Sequence, residues 1–270
     1  MTFLPDEKPL ASPEQTTASP PPSEDVTGRY YVPSFPIGQG VTDYEKYLHT
    51  QALFSLQTTP EEANSPEELM FQVAHQTSEL WMKLMLQELK RVLDWIAEEN
   101  LWAALRALRL VNDCARLLIA QVDLVGNHIS IVEYGKIRQG LGRGSGMESP
   151  GFNWLLEMAP RLNDAIHGLL KKRQLTLDEI YRNYQKYLDM HTLLEALLDY
   201  DDLFHKWRAH HMALVARTIG TESNSLKGLS TQVLQKGVKT RFFPALLALR
   251  SQLTNESNLA YGGEAFTKEA

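Results

Sequence analysis

From residue 42 onward, apolar positions recur at intervals of three and four along most of the chain, which is the spacing of amphipathic α-helices. "NSPEELMFQVAHQTSELWMKLMLQELKRVLDWIAEEN" (64–100) predicts a long first helix, with Ser65 as N-cap, Pro66 at the first helical position and Glu68 closing a capping box. Two apolar rows run along it, Val73, Leu80 and Leu84 in one and Trp81, Leu89, Val92 and Ile96 in the other. "LWAALRALRLVNDCARLLIAQVDLV" predicts a second helix over 101–125 that stops at Gly126-Asn127. A glycine-rich stretch, "QGLGRGSGMESPG" (139–151), leads to a shorter helix at about 152–172. Thr176 and Glu179 open another capping box. The helical pattern behind them is too long for one ordinary helix, so a break is expected near Asp199–Asp202. A loop at 220–230 and a last helix near 244–254 complete the chain. Paired strands rich in Val and Ile are not evident, and the expected fold class is all-α, a helical bundle.

The N-terminus breaks this pattern. Residues 1–28 are rich in Pro, Ser, Thr and Glu and are expected to form a disordered or surface-draped tail, leaving 29–270 as one all-α domain. "YYVPSFPIGQG" (30–40) has no helical period and should be ordered only by packing. A net charge of −6 leaves no basic footprint for nucleic acid or a membrane surface. No apolar run is long enough to span a bilayer, and "MTFLPDEKPLASPEQ" lacks the features of a secretory signal. These observations lead us to expect a soluble, cytoplasmic protein. The single cysteine, Cys114, excludes an internal disulfide and a cysteine-based zinc site, and its apolar surroundings make it a core residue.

Candidate chemistry rests on a few side chains. In "KWRAHHMALVARTIG" (206–220) the adjacent His210 and His211 point about 100° apart on a helix and cannot share a ligand. His210 lies on a polar row with Lys206, Ala213 and Arg217, whereas His211 shares an apolar row with Phe204, Trp207, Leu214, Val215 and Ile219. An inward imidazole is either a core histidine bonded to a carbonyl or a metal or heme ligand. Phe71 and His75 stand one turn apart with Glu79 a turn further, a spacing that suits core packing or the lining of an aromatic ligand pocket. Arg138, four residues after Tyr134 and just before the glycines, is either a surface arginine or a bidentate grip for a carboxylate. The pairs Asp164/His167 and Asp202/His205 lack the inward glutamates that a di-iron bundle needs.

Taken in order, these stretches resemble the heme-dependent tryptophan 2,3-dioxygenase superfamily. The resemblance is carried by "YEKYLHTQALFSLQ" (44–57), "LMFQVAHQTSELWMKLMLQEL" (69–89), "EYGKIRQGLGRGSG" (133–146), "WRAHHMALVARTIG" (207–220) and "FFPALLALR" (242–250). It implies one heme b per subunit, with His211 as the proximal iron ligand and His210 a bystander. His75 would be the distal histidine that hydrogen-bonds the indole N–H, and Phe71 would pack on the substrate ring. Arg138 would clamp the substrate carboxylate with Tyr134 nearby, while Ser145 and Gly146 would sit beside the distal pocket. The N-terminal helix of one subunit would bring Tyr44, Tyr47 and Leu48 into a neighbour's site, which implies an oligomer, most simply a tetramer. The implied reaction inserts O₂ across the indole C2–C3 bond of L-tryptophan to give an N-formylkynurenine-type product.

Three departures from the family pattern qualify the substrate. The glycine-rich loop usual after "RTIG" is "TESNSLKGLST" here, with Ser225 in the place of a threonine and Leu226 and Lys227 unable to repeat its tight backbone cover. Ile137 stands where phenylalanine is usual before the arginine, and "MESPGFN" (147–153) replaces a longer polar-aromatic run. The stretch between Arg138 and His211 is also shorter than usual. The alternatives kept open are mono-oxygenation of a modified tryptophan or substituted indole to an oxindole, and a non-catalytic helical heme-binding or interaction protein.

Overall fold

A computed structural model of the chain describes residues 38–221 and 240–256. They fall into a short N-terminal unit that ends at Leu56 and a larger unit that begins at Gln57. The expected tail at 1–28 lies outside the described residues, as does all but the first two residues of the loop expected at 220–230. The described residues contain helices and no strand, in agreement with the all-α pattern.

The N-terminal unit holds α1 (Asp43–Leu48) and α2 (Thr50–Phe54). Its organiser is Glu45, which is buried although it belongs to a six-residue helix. The Glu45 carboxylate accepts from the backbone N–H groups of Gly38 (2.5 Å), Val41 (3.2 Å) and Thr42 (3.0 Å) and from the Thr42 hydroxyl (3.0 Å). Those donors, the Thr42 backbone first, hold its pKa below the usual carboxylate range.

The larger unit comprises α3 (Glu68–Ala97), α4 (Leu101–His128), α5 (Ile131–Gly140), a single 3₁₀ turn (Gly146–Glu148), α6 (Pro150–Arg173), α7 (Leu177–Arg182), α8 (Leu188–Ile219) and α9 (Pro244–Glu256). The helix α3 packs on α4 and α6, and α4 packs on α8. Phe152 of α6 meets Phe204 and Trp207 of α8 at 5.9 and 5.6 Å between ring centres, which links the two outer helices. The core between them is made of fully buried side chains such as Leu89, Leu108, Leu118, Leu155 and Leu193, with Cys114 among them. Each such leucine contributes about 1.5–3 kcal/mol by leaving water. Polar ties cross the helix pairs as well: Gln121 bonds Ser78 (2.8 Å) and Thr77 (2.7 Å), and Asn112 donates to the Ala196 carbonyl (3.1 Å).

Several expected boundaries move. The expected capping box of Ser65 and Glu68 does not form, because the Glu68 carboxylate accepts from the Asn64 backbone instead (2.7 Å) and α3 begins at Glu68. Val73 and Leu80 of the first apolar row are exposed; the core row of α3 is Met82, Met85, Leu89, Val92 and Ile96. Gly126 does not stop α4, which runs on to His128 with Gly126 facing Leu214 of α8. The largest change concerns the expected break at Asp199–Asp202, since α8 is continuous there and the interruption lies at 183–187. Asp201 is wholly buried, accepting from the Phe243 backbone (3.1 Å) and from Arg241 (3.2 Å), so this acidic run docks the returning chain rather than ending a helix. By contrast, the Thr176–Glu179 capping box is present.

Candidate active site

Four segments converge beside the main core. Ala74 of α3, Val125 of α4, Ile129 at the C-terminal end of α4 and Ile137 of α5 form a second, small buried cluster. Phe71, Tyr134 and Leu214 pack against it from three different helices. Ile137, where the family pattern has phenylalanine, is thus a buried member of the support on which the two aromatic rings rest.

On this support stand Phe71 and His75. Their ring centres are 4.0 Å apart at an interplanar angle of 34°, and Tyr134 lies 6.0 Å from Phe71. His75 Nδ1 is 2.7 Å from the Phe71 carbonyl oxygen. A carbonyl only accepts, so Nδ1 must carry the proton, and neutral His75 is left with its lone pair on Nε2. Burial pushes the His75 pKa down, against the opposing effects of the Phe71 carbonyl and the Glu79 charge. The side chain nevertheless reaches solvent. Its free nitrogen is therefore an acceptor presented to whatever enters.

His211 lies close enough to His75 for the two rings to interact electrostatically. Desolvation, followed by the charge of His75, lowers its pKa to about 4, so the ring is neutral at ordinary pH. Trp207 stacks on it at 5.7 Å and 23°, and among the described residues it makes no hydrogen bond. A Cβ added at Gly146 would come within 3.9 Å of His211 Nε2, so the missing side chain keeps space open on that nitrogen's face. His210 does the opposite: it is exposed and bonds Asp123 through Nδ1 at 2.7 Å. No three His, Cys, Asp or Glu side chains converge among the described residues to hold a bare metal ion. A neutral, unpartnered imidazole beside open space fits an iron already held by a macrocycle, which needs one protein ligand.

The remaining expected residues divide. Arg138 is half-buried one turn beyond Tyr134, and its charge opposes the rise that burial causes in the Tyr134 pKa. Ser145 caps the 3₁₀ turn through Met147 (3.4 Å) and donates its own N–H to Glu148 (3.0 Å), which presents Gly146 to His211. Tyr44, Tyr47 and Leu48 belong to the N-terminal unit and are 71%, 83% and 43% exposed. Ser225 lies outside the described residues. The sequence reading missed the fastening of the glycine-rich loop, in which Glu79 accepts from Ser149 Oγ and from the Gly151 backbone (3.0 Å). A glycine following Ser-Pro at a helix start was the available signal.

Comparison with known proteins bears on the chain as a whole. The family described as tryptophan 2,3-dioxygenase matches residues 34–160 and 167–253, and the interruption falls inside α6 just after Pro160. The chain is similar to the tryptophan 2,3-dioxygenase of Arthrobacter sp. (strain FB24), 25% identical over 261 residues covering 78% of this chain and 91% of that protein. It is 27% identical over 260 residues to that of Bacillus thuringiensis subsp. konkukian (strain 97-27), covering 78% and 92%. For that of Serratia proteamaculans (strain 568) the values are 28% over 269 residues, 79% and 96%. With most of its length matched in this way, the chain belongs to the tryptophan 2,3-dioxygenase family.

Proposed function

We propose that this protein is a heme-dependent oxygenase that inserts O₂ across the indole C2–C3 bond of L-tryptophan, yielding an N-formylkynurenine-type product. The observation that carries the reading is the pair of neighbouring neutral imidazoles, His75 with a fixed acceptor nitrogen and His211 with no hydrogen-bond partner among the described residues. His211 would hold the iron of heme b through Nε2. The bound heme supplies the activation of O₂, and the chain supplies binding, orientation and a dry site. His75 Nε2 accepts the indole N–H, while Phe71, tilted against it, covers the ring. Arg138 takes the substrate carboxylate in a charge-assisted bond, with the Tyr134 phenol kept neutral next to it. Gly146 leaves room above His211, and Ser145 fixes that turn. Ser225, in the altered 221–231 loop, is assigned to the amino-acid end.

The working unit in this reading is a cytoplasmic homotetramer. Leu110, Leu117 and Leu124 are exposed on α4 at seven-residue spacing, the pattern of a helix seam between subunits. Exposed Tyr44, Tyr47 and Leu48 would complete the pocket of a neighbouring subunit.

The test is aerobic turnover of L-tryptophan by heme-loaded protein with ascorbate, followed by mass spectrometry. A gain of two oxygens is expected. A gain of one would replace the reaction by formation of an oxindole, and failure to take up heme would remove the enzyme reading altogether.

A further inference from the structure

The loop that carries Ser145 and Gly146 could stand at many heights over His211, because Gly142, Gly144 and Gly146 loosen its backbone. The hydrogen bonds of Gly144, Ser145 and Met147 are local ones, within the loop or to the first turn of α6. Its far end is nevertheless fixed. Ser149 is the N-cap of α6, accepting from the Phe152 N–H at 3.1 Å. The same hydroxyl donates to Glu79 Oε1, and Glu79 Oε2 accepts the Gly151 N–H at 3.0 Å. A carboxylate from α3 thus closes the N-terminus of a 24-residue helix, where unpaired N–H groups and the helix dipole both favour an anion. The approach is tight: a Cβ at Gly151 would lie 2.7 Å from Glu79 Oε2 and 2.7 Å from Met82 Cβ. No larger residue fits there without moving α6 away from α3. Glu79 also lies one turn beyond His75 and two beyond Phe71 on the same helix.

We propose that Glu79 is a positioning residue: by gripping Ser149 and Gly151 it sets how far the Ser145–Gly146 turn stands from His211 Nε2, relative to His75 and Phe71. One short carboxylate therefore references the loop side of the site to the helix that recognises the indole. The effect on substrate rests on the oxygenase reading above; the latch itself does not. The Glu79 charge further supports the proton affinity of His75, so the same group acts on both sides.

The experiment compares wild type, Glu79→Gln, Ser149→Ala and the double variant. In heme-free protein, hydrogen exchange over 139–152 should accelerate at least tenfold in Glu79→Gln, with 101–128 unchanged. In heme-loaded protein, KM for L-tryptophan should rise five- to twentyfold. The stretching band of CO on the reduced heme should shift when L-tryptophan is present, with the ferric Soret band unmoved. The double variant should be within twofold of Glu79→Gln, since both changes open one latch. Unchanged exchange over 139–152, or effects that multiply in the double variant, would overturn the proposal. If Glu79→Gln does not fold, Ser149→Ala carries the exchange and KM measurements with the same expectations. A wild-type protein that oxidises no tryptophan defeats the oxygenase reading alone, and heme-free exchange still judges the latch.

Discussion

The two hydrophobic clusters of the larger unit are built differently. Between α3, α4, α6 and α8, side chains such as Leu89, Leu108, Leu118 and Leu193 have no exposed surface, and each packs among several helices. Beside α5 the buried apolar cluster is just Ala74, Val125, Ile129 and Ile137 among the described residues, and Phe71 and Tyr134, which pack on it, are only partly buried, as is His211 nearby. The first region is sealed from water, whereas the second keeps polar side chains and ring faces at the surface. A pocket needs those groups, and the larger core stabilises the helices that hold them in place. Stability and function should therefore respond to different substitutions.

The largest separation is expected at His211. His211→Ala should lower heme affinity by two or more orders of magnitude, measured by Soret titration, while the melting temperature of the heme-free protein stays within a few degrees. Unaltered uptake would remove His211 from the iron. Leu108→Ala probes the opposite region and should cost about 2–5 kcal/mol in denaturant unfolding, with KM for L-tryptophan nearly unchanged in the folded fraction. Ile137→Val, in the small cluster, should cost only about 0.5–1.5 kcal/mol yet disturb tryptophan binding more than Leu108→Ala does. The reverse ranking would mean that the two clusters are one cooperative core. Arg138→Ala should raise KM for L-tryptophan at least tenfold, about 1.4 kcal/mol, and leave an indole lacking the carboxylate unaffected; equal effects on both substrates would release Arg138 from the clamp.

Acidity gives the smallest and most gradual contrast. Folded His211 binds a proton less readily than the unfolded chain does, because burial disfavours the imidazolium. Between the ordinary imidazole pKa near 6.5 and about 4 the unfolded state therefore holds more protons. Stability of the heme-free protein should fall as pH drops through that window, by at most about 1.4 kcal/mol per pH unit. His211→Gln should flatten this slope; equal slopes in the two proteins would show that the site does not desolvate the ring.

Much of this contrast is visible along the chain, because helices with one apolar face announce themselves by period. The row Leu89, Val92, Ile96 and the Thr176–Glu179 cap depend on neighbours within a few residues. The inward turn of His211 and the outward turn of His210 follow from the same geometry. The errors share a cause, which is compensation from far away in sequence. Asp201 looks like a helix-ending acid until Arg241 and the Phe243 N–H arrive from about forty residues on. Gly126 looks like a stop until Leu214 packs against it. Glu79 looks like a solvated acid until Ser149 and Gly151 come to it. Val73 and Leu80 have the right period but face outward, and periodicity alone cannot say which of two apolar rows a core will take.

The buried Asp201 also has an architectural consequence. Because it receives both Arg241 and the backbone of Phe243, the chain leaves α8 at Ile219 and is received again at a fixed address before α9. Residues 222–239 are thereby bracketed by two anchor points that belong to the core. The docking acid thus ties the start of α9 to the middle of α8, so that a change at Asp201 is felt at a point some forty residues further along the chain.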